Sequence, residues 1–190
     1  FMLKRIGTVF LTVLFLAATP LAAEDFDWSQ CWCNYGGGIK QGDMMLSVDA
    51  GINPWHTFDA FNNGGFATPN LAVDFEVAVP VWKLPFSFGG YLSAGYSSYN
   101  YENSVKYDHA KINTGASVTY HVQMPPKNLD VYTGLKTGIS FDISDCYTNG
   151  CFLGFDIGYN IGASWYFKDN TGFNLELGYP LNKCGVVFKF

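Results

Sequence analysis

Phe155-Asp156-Ile157-Gly158-Tyr159-Asn160-Ile161-Gly162-Ala163-Ser164-Trp165-Tyr166-Phe167 is the stretch whose reading decides the fold of this chain. Its odd-numbered residues are all apolar or aromatic, and the residues between them are small or polar, with the hydroxyl-bearing Tyr166 the largest. Successive side chains of a strand point to opposite faces, so this stretch has one greasy face and one polar face. It is longer than the usual strand of about 5–6 residues, but it suits a tilted strand crossing a bilayer, which needs roughly 9–11. A soluble sandwich also contains two-faced strands, so the pattern must recur before a membrane barrel follows.

It recurs on both sides. Upstream, Met44, Leu46, Val48, Ala50 and Ile52 alternate with Met45, Ser47, Asp49 and Gly51; Leu71, Val73, Phe75, Val77 and Val79 alternate with Ala72, Asp74, Glu76 and Ala78. A third strand runs from Phe86 to about Tyr96, a fourth from Ala110 to Val122 and a fifth from Leu129 to Ile143. Downstream, Phe173, Leu175, Leu177 and Tyr179 oppose Asn174, Glu176 and Gly178, and Val186, Phe188 and Phe190 oppose Val187 and Lys189. With the opening stretch, that makes eight strands. The residues from Pro54 to Asn70, Tyr99 to Asp108 and Asp145 to Cys151 read as long loops, as does a modest one from Pro180 to Lys183 with Cys184 beside it. Between them lie short connections at Pro80 to Pro85, Pro125 to Asn128 and Lys168 to Gly172.

Brief turns on one side and longer loops on the other are the asymmetry of a membrane barrel. The predicted fold class is all-β, an eight-stranded antiparallel transmembrane β-barrel over residues 44–190. Aromatic residues on its outer face gather near the short turns (Phe86, Phe88, Tyr120, Trp165, Phe167, Phe173, Phe188, Phe190) and near the loops (Tyr96, Phe141, Phe155, Tyr179), as two interfacial girdles. No charge falls on the apolar side of any of these strands, where one at the midplane would cost about 2–4 kcal/mol.

Lys4 and Arg5, the apolar run from Ile6 to Leu16, and the small residues that end at Ala23 have the layout of a secretory signal peptide over residues 1–23. Residues 24–43 then form an irregular periplasmic segment. Without residues 1–23 the chain keeps 9 bases against 16 acids, a net charge of 9 − 16 = −7, and no arginine. Nucleic acid is excluded as a partner on that balance, because phosphate binding needs a basic surface. Charged residues make up 14% of the chain and aromatics 18%, against the usual ~25% charged, so something other than water covers part of the surface.

The last residues, Gly185-Val186-Val187-Phe188-Lys189-Phe190, resemble the C-terminal assembly signal of bacterial outer-membrane barrel proteins, an aromatic residue after alternating apolar positions. Together with the strand count, the chain resembles the small OmpA/OmpX/OmpW-type barrel superfamily. That resemblance implies a bacterial outer membrane as location, its lipid as partner, and engagement of the barrel-assembly machinery through the C-terminal strand. In OmpW-type barrels it would further imply an apolar lumen for small hydrophobic ligands, and the inward positions here are more polar than that.

Those inward positions carry Asp49, Asp74, Glu76, Asp130, Asp142, Asp156 and Glu176, with Lys111, Lys136, Lys168, Lys189 and His121. An eight-stranded barrel is only just wide enough for its side chains. Packed ion pairs are therefore one expectation, and a narrow porin-like channel for small solutes or ligands is the other, since inward glycines leave space that Tyr91, Tyr132 and Tyr166 fill at least in part. The alternative function is a surface adhesin or structural barrel without an open pore, acting through its extracellular loops. His56, Phe58, Phe61 and Phe66 of the first loop are then the contacts.

The chain is read as non-enzymatic. Some small outer-membrane barrels are acyltransferases with His, Asp and Ser at the rim, but His56 with Asp59, and Asp108-His109 with Ser104, are loop residues that nothing ties together. No cofactor motif and no metal-ligand spacing is present. Five cysteines in an exported chain point to disulfides with one left over. Cys146 and Cys151 could staple the third loop, with Cys184 a rival partner for either, and Cys31 and Cys33 are too close for an easy bond to each other.

Overall fold

The computed structural model describes residues 39–40, 42–81, 84–101, 105–124, 128–144 and 151–190. The signal peptide expected over 1–23, most of the 24–43 segment, Cys31, Cys33, Ser104 and Cys146 lie outside the described residues. The elements are β1 (Met44–Ile52), α1 (Pro54–Asn62), β2 (Phe66–Ala67), β3 (Asn70–Val81), β4 (Leu84–Tyr101), β5 (Val105–Met124), β6 (Leu129–Ser144), β7 (Cys151–Lys168), β8 (Thr171–Gly178) and β9 (Asn182–Lys189).

Eight strands close into an antiparallel ring. Each pairs with the next along the chain from β3 to β9, and β1 joins the ends by pairing with both β3 and β9. Register puts like faces together: Leu46 lies opposite Phe75 and Phe188, whereas Ser47 lies opposite Asp74 and Val187. The burial is inside-out for a protein in water. Phe155 is 70% exposed while Tyr166 on the same strand is 1% exposed, and the buried set is dominated by Ser, Asn, Asp, Glu and Lys. This excludes a soluble sandwich with an apolar core. Leu71, Leu135, Phe155, Ile157 and Leu177 are all more than half exposed, a belt that only hydrocarbon covers without the cost of hydrating it.

The wall is uneven in height. β4, β5, β6 and β7 have 18, 20, 16 and 18 residues, and β1, β8 and β9 only 9, 8 and 8. The stretch from Tyr99 to Asp108, expected as a loop, is mostly strand: β4 runs to Tyr101 and β5 starts at Val105, with Tyr99 opposite Tyr107 and their ring centres 6.3 Å apart. Paired aromatics prolong the ladder there.

Residues 54–70, also expected as a loop, contain α1 and β2. Asn53 precedes Pro54, an N-cap followed by the residue best suited to the first helical position, and Thr57 N–H donates to Asn53 O at 3.0 Å. Gly64, with φ 67°, ends the helix, and Gly65 N–H donates back to Ala60 O at 2.7 Å. β2 then pairs with Ser97 and Ser98 of β4 above the point where β3 stops.

Three further expectations are corrected. Lys168 is exposed and not inward, because a register shift between Tyr166 and Lys168 changes the phase at the turn. Tyr179 leaves the outer girdle and donates its hydroxyl to Asp156 at 3.0 Å. Lys183 and Cys184 belong to β9 and not to a loop, so Cys184 is an exposed residue of the outer face, opposite Ala50 and Leu175.

Candidate functional site in the barrel interior

Seen from the short-turn end upward, the interior is filled in layers. At the bottom, a turn in which Lys40 N–H donates to Asp43 Oδ2 at 2.7 Å folds Ile39 beneath the barrel. Ile39 joins Met45, Ala78, Tyr166 and Val187 in an apolar cluster, with Lys189 Nζ 5.0 Å from the centre of the Tyr166 ring. The expected periplasmic segment thus ends as part of the barrel floor.

Above the floor, His121 of β5 is held between strands. Its Nδ1 lies 2.8 Å from Asp130 Oδ2 on β6, and its Nε2 lies 2.9 Å from Ser87 Oγ on β4. Ser87, His121 and Asp130 thus form a continuous chain of polar contacts from β4 to β6. The Ser87 hydroxyl donates to Glu76, which also accepts from Thr119 Oγ1 at 3.0 Å. Nε2 also lies 3.6 Å from Glu76 Oε2, so the imidazole has a carboxylate beside each ring nitrogen. Ser87 is also 0% exposed. The group is a charge-assisted brace across four strands.

The middle layer is an ion cluster. Lys136 Nζ lies 2.8 Å from Asp74 Oδ1 and 2.6 Å from Glu176 Oε1. Lys183 Nζ lies 2.8 Å from Asp49 Oδ2 and 3.8 Å from Glu176 Oε2, and also contacts Asp74. Asn174 ties this layer to the wall, donating to Asp49 and accepting from Tyr132 Oη at 2.8 Å and Ser164 Oγ at 3.1 Å. Lys183 was not among the residues singled out from the sequence. The signal was available, since Lys183 shares the parity of Val187 and Lys189, but Pro180 and Asn182 read as loop chemistry.

In the upper layer Lys111 Nζ lies 3.8 Å from Asp142 and 3.9 Å from Asp156, and His109 Nε2 lies 3.3 Å from Asp142. Tyr179, in the connection between β8 and β9, has its hydroxyl pushed up to about 12, first by burial and then by its hydrogen bond to Asp156. The next residues of that connection, Pro180 and Leu181, are buried. Asp49, Asp74, Glu76, Lys111, His121, Asp130, Lys136, Asp142, Asp156 and Glu176 therefore all lie inside, grouped in these three layers.

Tyrosines occupy the space above the inward glycines. Tyr91 lies opposite Gly115, which itself faces Gly138, and Tyr132 lies opposite Gly162. A Cβ on Gly162 would overlap the Tyr132 ring, and one on Gly138 would sit 2.8 Å from Tyr91 Oη. Among the described residues small cavities lie between these layers: about 30 Å³ beside Asp74, Glu76, His121 and Asp130, about 10 Å³ beside Lys136 and Lys183, and about 20 Å³ under α1 beside Lys111 and Asn113. Each has room for about one or two waters. No metal-binding group of His, Cys, Asp or Glu occurs among the described residues. Phe58 and Phe61 of α1, and Phe66 of β2, stay outside the interior with their side chains exposed. His56 lies on α1.

No family model matches the chain, and no curated protein matches it. Among solved structures it is similar to the outer membrane protein OprG from Pseudomonas aeruginosa, at 13% identity and a TM-score of 0.55 over 81% of this chain and 98% of that one. The fold is that of the small outer-membrane barrels. A de novo designed transmembrane β-barrel matches with a TM-score of 0.41 and 19% identity over 80% of this chain and 98% of that one. The attachment invasion locus protein Ail of Yersinia pestis, crystallised with sucrose octasulfate, matches with a TM-score of 0.45 and 8% identity over 79% of this chain and 99% of its own.

Proposed function

We propose that this chain is a non-conducting barrel of a bacterial outer membrane that acts at the cell surface through its loop end. The observation that carries this is the occupation of the lumen by side chains at successive heights: an apolar floor at Ile39 and Tyr166, the Lys136 and Lys183 ion layer, and the buried Pro180 and Leu181. Opening a path would mean separating buried ion pairs, and each charge left without a partner costs several kcal/mol. The hairpins β4–β5 and β6–β7, which outreach the rest of the wall, are the parts that extend furthest toward a soluble or cellular partner. A narrow channel is the competing function, and the middle layer favours cations for it, with Asp49, Asp74 and Glu176 set against Lys136 and Lys183. Planar-bilayer recording of the pure, folded protein separates the two. Silence at all voltages is expected, and reproducible, cation-selective steps would overturn the proposal.

A further inference from the structure

Between β1 and β3 the chain runs through seventeen positions, Asn53 to Pro69, with no lysine or arginine and with Asp59 as the one acid. Its phenylalanines are not used in packing: Phe58 is 65% exposed, Phe61 64% and Phe66 52%. The helix that carries two of them is nevertheless fixed. Ala60 on its other side is fully buried, Thr57 borders the small cavity at the barrel mouth, and Asn100 N–H of β4 donates to Asn63 O at 3.2 Å just past the helix end. The barrel thus holds α1 in place with its aromatic side turned away from the protein.

That side continues the lipid-facing surface. Phe66 lies opposite Ser98, and its ring centre is 6.0 Å from that of Tyr96, the aromatic that ends the outer row of Phe88, Leu92 and Tyr96 on β4. The outer aromatic row of β4 therefore reaches from Tyr96, whose hydroxyl donates to Asp108 Oδ1 at 2.7 Å, to Phe66, and α1 lies just before Phe66 in the chain, packed against β2 and β4. A helix with an apolar side and a polar side that meets a bilayer edge lies in the interfacial plane. With no lysine or arginine in the segment, attraction to phosphate headgroups contributes little and apolar burial does the work.

We infer that Phe58, Phe61 and Phe66 dock into the acyl-chain boundary of the outer leaflet, so that α1 is an interfacial anchor lying on the membrane and not a loop reaching for a soluble partner. This goes beyond the closed-barrel proposal and does not depend on it. The test places trifluoromethyl-phenylalanine, one site at a time, at Phe58, Phe61, Phe66 and the belt residue Phe155, in the full folded protein in phospholipid vesicles. Fluorine NMR then compares a lipid bearing a nitroxide near the top of its acyl chain with a water-soluble gadolinium chelate. The lipid probe is expected to broaden the lines at Phe58, Phe61 and Phe66 about twofold or more, as it does at Phe155, with little effect from the chelate. Broadening by the lipid probe at Phe155 alone, with the α1 lines relaxed by the chelate, would overturn the inference and leave the side chains free for a soluble partner. Because each substitution keeps an aromatic ring, and Phe155 reports insertion in the same membrane, a folding failure is recognised separately.

Discussion

Lys183 ties three strands' carboxylates together, because its ammonium serves Asp49, Asp74 and Glu176 at once with both Lys183 and Asp49 almost fully buried. Replacing it with Met leaves Lys136 as the one ammonium among three carboxylates. Lys183→Met is expected to lower stability by about 3–5 kcal/mol, the cost of orphaning buried charge, measured as a lower urea midpoint in vesicles. Adding Asp49→Asn should recover about 0.5–3 kcal/mol of that loss as coupling between neighbours; strictly additive effects would mean the pair does not interact. Tyr179 supplies a pH dependence. Its hydroxyl is neutral in the folded protein up to about 12, above the ordinary 10, so its contribution is complete below the ordinary value and is lost as pH rises toward the folded one. Tyr179→Phe should remove that alkaline decline in the urea midpoint and leave the neutral-pH behaviour of the ion layer intact.

At the scale of elements, strands are placed by alternation and brought into close approach by glycine. Gly115 and Gly138 face each other across β5 and β6, and a Cβ on either would overlap the backbone carbonyl of its neighbour strand. Gly138→Ala is expected to cost about 1–3 kcal/mol through overpacking, visible as faster unfolding in urea; an unchanged rate would mean that the wall relaxes freely at this point. The alternation of β7 was legible from its residues alone because the inward and outward environments differ so sharply. The height of β4 and β5 was not, since Asn100 and Asp108 carry turn chemistry that the cross-strand pair of Tyr99 and Tyr107 outweighs. The helix was missed for a related reason: Asn53-Pro54 and Asn62-Asn63-Gly64-Gly65 are turn residues, yet in this order they start and stop a helix.

Over the whole molecule, the outer belt requires hydrocarbon. Leu135 stands mid-strand on β6 and is well exposed, so Leu135→Lys should cost about 2–4 kcal/mol of folding stability in a bilayer, read from the same urea titration. A loss confined to within error would place that position away from the midplane. The sequence by itself determined the strand count, the two faces and the membrane as solvent, because a period of two and the absence of charge on one face are local properties that survive without knowledge of neighbours. Only the tertiary structure decided how the inward residues combine. Lys183 meets Asp49 and Asp74, and Ser87 meets His121 and Glu76, through the closure of β1 on β9 and the stagger of the ring, and ion pairing in a narrow lumen depends on which side chains arrive at the same height.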